Sequence, residues 1–390
     1  MMRSQPGRRL RLAALGVGAA LVLAACSTGS TPSTSTTPQA GGAGPTPSSG
    51  SSQAAAGGAI QGSSTFNDAK LEELTQKIQS AIGSTSLSNV KIAFVTNGNA
   101  SYWNEAKAGW DAAMKWLSAK GAQGQFEEPT QSTASVQVTL LETLTSQGYT
   151  GWGVSAVTAD ALTQPIADAV SKGLSVVAYD SPLPGTKAQF YIGTPNTDAG
   201  CAAGKAMTSA IGSGNVVAIS GSLTADNTKQ RIAGFEQCAG SGVKVVQTLN
   251  DNQDVATAVS DIQAAIQADP SIKGVYAVYS YDGGAAGQAV QASNKVGKIT
   301  IIADDGESDT VHDVQSGLIA ASILQRPYYQ GYMTAYALAA DKALGESATM
   351  ALFTPYFASP GVLSTGVGVM TKANLSDFQA FWAKIGLTSQ

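Results

Sequence analysis

The chain has 390 residues, enough for two ordinary domains. With 43% hydrophobic residues it can bury a core, which excludes a disordered chain, and 23 Lys+Arg against 27 Asp+Glu give a net charge of −4. That mild acidity provides no clustered basic face and so argues against a nucleic-acid binder.

The N-terminus is a unit by itself. Arg3, Arg8, Arg9 and Arg11 form a basic stretch, and the apolar run at 12–25 is short for a membrane span. Small residues follow, as in an export signal. Leu23, Ala24, Ala25 and Cys26 resemble the bacterial lipobox, in which the cysteine carries the lipid and becomes the new N-terminus. Residues 1–25 are thus expected to be a lipoprotein signal peptide, with Cys26 the lipidated residue and the protein anchored outside the cytoplasm. From 26 to 66 the chain is almost wholly Ser, Thr, Gly, Ala, Pro and Gln. Such a segment buries too little apolar surface to offset its ordering entropy, so it reads as a tether. About forty such residues span roughly 35 Å.

At 68–82 Leu71, Leu74, Ile78 and Ile82 share one helical stripe. This helix either packs on the domain or extends the stalk, and 67–88 is read as helix and linker. Strands and helices then alternate. Strands are expected at 91–96, 152–157 and 175–179. The first helix carries Trp103, Ala106, Trp110, Ala113 and Leu117; the next is marked by Val136, Leu140, Leu141 and Leu144, and 166–170 is helical. After about 196 the pattern restarts, with strands at 216–220, 243–249, 275–278 and 299–303. Two such runs predict an α/β fold of two doubly wound parallel-sheet lobes.

Ligands in open parallel sheets bind beyond the carboxyl ends of the strands. Three apolar runs end there on carboxylates: Asp180 after Tyr179, Asp282 after Tyr281, and Asp305 after Asp304. An aspartate at such a place either caps a helix or accepts hydrogen bonds from ligand hydroxyls. Cys201 and Cys238 are either a disulfide or two buried thiols. The single histidine, His312, and the lack of close Cys/His spacing leave no metal site, and no cofactor is expected. No nucleophile elbow or Walker loop is present, so the chain reads as a non-enzyme. The run Asp282, Gly283, Gly284, Ala285, Ala286, Gly287 lacks dinucleotide spacing and reads as a helix start.

From about residue 90 the chain resembles ribose-type periplasmic binding proteins, the sugar-binding components of ABC importers. The resemblance rests on Ser101, Tyr102, Trp103, Asn104 and Glu105 leading to Gly109, then Tyr179 and Asp180, and then Ile192 to Asn196. It continues through Gln230, Arg231, Ile232, Ala233, Gly234 and Phe235, then Tyr281 and Asp282, Asp305 and Gly306, and finally Gln325, Arg326, Pro327 and Tyr328. It implies a periplasmic binding protein type 1 fold, with three crossing segments near 192–195, 322–326 and 353–357. The N-terminal lobe would be 89–194 plus 326–354 and the C-terminal lobe 195–325 plus 355–390. Hinge closure between the lobes would trap the ligand.

Carried over by position, the ligand-binding candidates are Tyr102, Trp103, Asp180, Asn227, Lys229, Tyr281, Asp282, Asp305 and Gln325. Trp103 also lies on its helix's core stripe. The family pattern has an arginine after the first-lobe aspartate, where this chain has Ser181; it has another before the Gly-Phe helix, where Lys229 or Asn227 stands here. The pocket is therefore expected to be poorer in guanidinium groups and richer in aromatics. A pentose, hexose or polyol fits, and Tyr279, Tyr281 and Tyr328 keep a nucleoside or aromatic ligand open. The expected partners are that ligand, an ABC permease and the membrane, with the protein a monomer. A sensory lipoprotein presenting its closed form to a receptor is the alternative.

Overall fold

The computed structural model describes residues 58–389. The expected signal peptide and Cys26 lie outside the described residues. In chain order, β1 (Ser63–Ser64) and α1 (Asp68–Ile82) come first. They are followed by β2 (Lys91–Val95), α2 (Trp103–Ser118), β3 (Gln123–Glu127), α3 (Ala134–Ser146), β4 (Gly151–Val154), α4 (Ala159–Ser171), β5 (Ser175–Tyr179) and β6 (Tyr191–Gly193). The second series is α5 (Asn196–Ile211), β7 (Gly214–Ser220), α6 (Asp226–Cys238), β8 (Val243–Asn250), α7 (Val255–Ala268), β9 (Ile272–Ala277), α8 (Asp282–Ala292), β10 (Thr300–Asp304), α9 (Ser308–Ser316) and β11 (Ile319–Leu324). The chain ends with α10 (Pro327–Leu344), α11 (Glu346–Phe353), β12 (Val362–Ser364), β13 (Gly368–Met370) and α12 (Leu375–Lys384).

Two sheets result. The first is wholly parallel, in the order β12-β6-β5-β4-β2-β3. The second runs β1-β13-β11-β10-β9-β7-β8, with β1 and β13 antiparallel at one edge. The central strands of the first sheet, β2, β4, β5 and β6, are buried on both faces, as inner strands of a parallel sheet are. Along β2, Ile92 and Phe94 face the core under α1, α2 and α10, while Ala93 and Val95 face α3 and α4. In the second lobe α5 and α6 cover one face, and α7, α8, α9 and α12 cover the other. Cys201 of α5 and Cys238 of α6 are joined as a disulfide.

The chain passes between the sheets at 194–195, at 325–326 and at 365–367. The first two passages lie where the sequence places them. The third does not: the sequence puts it near 353–357 and gives 355–390 to the second lobe. Val362 to Ser364 instead pair with Tyr191 to Gly193 in the first sheet. The boundary moves because residues 354–361, a 3-10 turn (Thr354–Tyr356) and a loop, lead back into the first sheet before the chain leaves it.

The expected tether also ends earlier than residue 66. Ser63 and Ser64 pair antiparallel with Val369 and Gly368 of the second sheet. The helix at 68–82 packs on the domain: Leu71, Leu74, Ile78 and Ile82 are all buried in the first lobe's core. An apolar stripe of four residues is stabilised by burial and would carry a penalty on a solvated stalk.

Candidate ligand-binding cleft

The cleft is built where strands of both sheets end. Asp180 follows β5 and Asp305 follows β10, one from each lobe, and both adopt left-handed backbone, with φ of 57° and 66°. Aspartate tolerates this conformation better than most side chains, and such strained backbone concentrates at functional sites. Each carboxylate lines a narrow cavity between the lobes. The lobes also meet at the cleft's rim: a Cβ placed on Gly98 of the first lobe would lie 3.0 Å from Oε1 of Gln253 in the second.

On the first-lobe side, Asp180 accepts hydrogen bonds from Ser155 Oγ at 2.6 Å and Tyr102 Oη at 3.2 Å. Trp103 lines the same wall and meets Phe94 and Tyr179 edge-on, so it serves the core stripe and the cavity together. Asn97 and Ala100 complete this side.

On the second-lobe side, Asp305 accepts from Gln325 Nε2 at 3.1 and 3.2 Å. Gln325 in turn accepts from Thr194 Oγ1 at 2.7 Å, which ties two of the crossings to the cavity. Arg231 of α6 lies at the base, donating through Nε to Asn196 at 2.9 Å and through Nη1 to Asp304 at 3.1 Å and the Val278 carbonyl at 3.2 Å. Its Nη2 is buried without a protein partner, and the residue lines the cavity. A buried donor of this kind costs free energy until something accepts from it. Asn227, Gln253, Val278, Tyr279, Ser280 and Tyr281 complete the lining.

Seven of the nine residues singled out from sequence line this one cavity: Tyr102, Trp103, Asp180, Asn227, Tyr281, Asp305 and Gln325. Lys229 and Asp282 do not. The Lys229 side chain is 57% exposed and pairs with Asp226 at 3.2 Å. The buried stripe of α6 is Asn227, Thr228, Arg231, Gly234 and Phe235, so position 229 turns away from the cleft. Asp282 is instead the buried first residue of α8, its Oδ2 accepting from the Tyr279 backbone N–H at 2.9 Å in the turn that leads into the helix. Tyr328 also lies elsewhere, stacked with Tyr332 and edge-on to Phe381.

Arg231 is the residue that sequence reasoning passed over. Its position in the i, i+3/i+4 stripe with Asn227 and Gly234 was the available signal. The close crossing of α5 and α6 also holds it in place: a Cβ on Gly234 would lie 2.1 Å from the Thr197 carbonyl oxygen. Its presence means the cavity keeps one guanidinium even though Ser181 replaces an arginine after Asp180.

Burial pushes up the pKa of Asp180 despite the donors Ser155 and Tyr102 and the nearby Arg231. Burial likewise drives Asp305 well above the ordinary carboxylate range, with Arg231 opposing. Asp304 is raised to about 7 by burial, against the pull of Arg231. For Arg231 burial acts to lower the pKa, but Asp304 and Asp305 outweigh it and the guanidinium stays charged. Three carboxylates surround one cation, an arrangement that disfavours an anionic ligand and suits neutral hydroxyl donors. Among the described residues no cluster of three or more His, Cys, Asp or Glu is arranged to hold a metal ion.

A family model described as a periplasmic binding protein domain matches residues 90–347. The D-allose-binding periplasmic protein of Escherichia coli is 23% identical over 237 residues, covering 58% of this chain and 76% of that protein. A xylitol-binding protein of Mycolicibacterium smegmatis is 27% identical over 237 residues, covering 60% of this chain and 64% of that one. Among solved structures, an ABC transporter solute-binding protein from Burkholderia graminis in complex with D-arabinose superposes with a TM-score of 0.67 at 28% identity. That match covers 74% of this chain and 96% of the other. Two parallel-sheet lobes around a shared cleft, together with a family match over most of the folded region, lead to one conclusion: the chain belongs to the periplasmic binding protein family and has its type 1 fold.

Proposed function

We propose that this protein is the extracytoplasmic solute-binding component of an ABC importer, which traps a monosaccharide or polyol between its lobes and delivers it to a permease. The observation that carries the reading is the cleft itself. Asp180 and Asp305 enter it from opposite lobes, opposite the unpartnered Nη2 of Arg231, with Trp103, Tyr279 and Tyr281 in its walls. Carboxylates accept from paired hydroxyls, the guanidinium donates to a hydroxyl or ring oxygen, and ring faces cover the apolar side of a sugar. Relatives whose names specify D-allose and xylitol, and a structural neighbour holding D-arabinose, support a neutral polyhydroxylated ligand. The role is binding without catalysis.

Attachment to the membrane through lipid on Cys26 is part of the same proposal and rests on the sequence. Among the described residues no helix is long and apolar enough to cross a membrane.

A thermal-shift panel of D-arabinose, D-xylose, D-allose, xylitol and adenosine tests the substrate class. A ligand at 100 times its Kd adds about 2.7 kcal/mol, or about 4 °C for a folded region of this size. A shift with a sugar or polyol is expected. A shift with adenosine alone would overturn the proposed class.

A further inference from the structure

The segment ahead of β2 ties both lobes together. It begins as β1 on the edge of the second sheet, paired with Gly368 and Val369 of β13. It then runs along the third crossing: the Thr65 N–H donates to the Val367 carbonyl at 2.8 Å, and the Asn67 side-chain amide to the Ser364 carbonyl at 2.9 Å. The approach is close enough that a Cβ on Gly366, at φ 85°, would lie 2.3 Å from the Thr65 carbonyl oxygen. Three residues later the chain enters α1, whose apolar stripe is buried in the first lobe. Tyr329 of α10 donates to Glu72 at 2.8 Å, and Gln79 donates to Tyr336 at 2.6 Å.

Between these two attachments the segment grips the second crossing. The Arg326 guanidinium carbon lies 3.9 Å from the centroid of Phe66 on one side and 3.5 Å from that of Phe381 of α12 on the other. Asp68 forms an ion pair with the same group at 3.4 Å. Beside this sandwich, Trp382 of α12 donates to the buried Glu105 of α2 at 2.9 Å, a bond that crosses from lobe to lobe. The family match begins only at residue 90, so the segment is an addition to the matched region.

We infer that residues 63–82 form a fourth interlobe strap that stabilises the closed arrangement and thereby sets ligand affinity, through the Phe66, Arg326, Asp68 and Phe381 sandwich. The inference rests on reading the cleft as a ligand trap that works by closure. In the present arrangement the lobes touch at Gly98 and Gln253, and the sandwich and the Trp382–Glu105 bond are both formed. A rotation that parts α12 from α2 and α10 must strip a donor from a buried carboxylate and uncover a desolvated guanidinium. The strap shifts the open–closed balance by whatever it contributes to one state only, and a smaller closed fraction lowers apparent affinity in proportion.

The test is a Phe66→Ala, Asp68→Asn double variant in the full protein, with Lys70→Ala on the exposed face of α1 as control. Two readouts are taken: small-angle scattering without sugar, and the Kd of whichever of D-arabinose, D-xylose, D-allose and xylitol binds the unaltered protein most tightly. The strap predicts an expanded scattering profile without sugar, recovery of the compact profile at saturation, and at least fivefold weaker binding. The control should move neither. Unchanged scattering with a Kd within twofold, or tighter binding, overturns the inference. If the double variant does not fold, Phe66→Leu with Asp68→Asn keeps apolar bulk while removing the aromatic face and the charge. If none of the four compounds binds the unaltered protein, the cleft reading fails, and the sugar-free scattering still decides whether the strap holds the lobes.

Discussion

Asp180→Asn separates the charge of the cleft carboxylate from its shape. Asparagine tolerates the left-handed backbone at φ 57°, so the turn after β5 survives the change, whereas alanine would add strain. The carboxylate is buried, with Ser155 on one oxygen and Tyr102 on the other; in the variant the amide oxygen keeps one of these donors and the amide NH2 donates to the other hydroxyl. Because burial already raises the carboxyl's pKa, replacing it by a neutral amide costs the fold little. The ligand loses more. A hydrogen bond to a charged acceptor contributes about 1.5–3 kcal/mol and a neutral one about 0.5–1.5 kcal/mol, a difference of about 1–1.5 kcal/mol per bond. One ligand hydroxyl on Asp180 therefore predicts about tenfold weaker binding, and two adjacent hydroxyls about a hundredfold. Isothermal titration with the panel sugar that binds best measures this, with the melting temperature as a check on the fold. Binding within twofold of the unaltered protein, with the variant folded, would refute the assignment of Asp180 to the ligand.

Arg231→Met leaves Asp304 buried without its cation, and breaking a buried pair costs about 3–5 kcal/mol. Denaturant unfolding should show most of that loss at pH 8 and less near pH 6, where Asp304 can take up a proton. Replacing Cys201 and Cys238 by serine opens a loop with a sequence separation of 37. The chain-entropy relation gives about 4 kcal/mol for such a loop, read as a lower urea midpoint, with a steeper slope because the uncrosslinked unfolded chain exposes more surface. The raised carboxylates also predict a pH dependence. Asp304 has a folded pKa of about 7 against an ordinary value of 3.8, so its contribution to stability is complete below that ordinary value and is lost as pH rises towards 7. Asp180 and Asp305 act in the same direction. The sugar-free protein should melt higher at pH 5.5 than at pH 8, while hydroxyl donors, which favour the ionised carboxylates, should add a larger increment at pH 8.

The lobes were legible because buried parallel strands are short apolar runs. The segment 175–179 matches β5, and runs such as 91–96 and 243–249 fall within a residue of β2 and β8. The edge strand β3 was not legible: its sequence Gln123, Gly124, Gln125, Phe126, Glu127 is largely exposed and shows no apolar run. β12 and β13 are three residues each, too short to produce a pattern, and the third crossing between them was misplaced for that reason. Within the cleft, strand-end aspartates could be found because the carboxyl edge of a parallel sheet is a predictable location. Lys229 follows from the resemblance by position, while helical phase, which separates it from Arg231, decides which side chain reaches the cavity. Asn97 and Gln253 are uncharged loop residues that gain a place at the cavity where the lobes meet, and Ser155 acts from within the first lobe through its hydrogen bond to Asp180.

We propose that a neutral polyhydroxylated ligand sits between Asp180 and Asp305 with Arg231 donating to it. Diffraction from crystals grown with the panel compound that raises the melting temperature tests this most directly. Density is expected in the interlobe cavity, with ligand oxygens within hydrogen-bonding distance of Asp180, Asp305 and Nη2 of Arg231. Density for that compound at any other place, with the cleft holding only solvent, would contradict it.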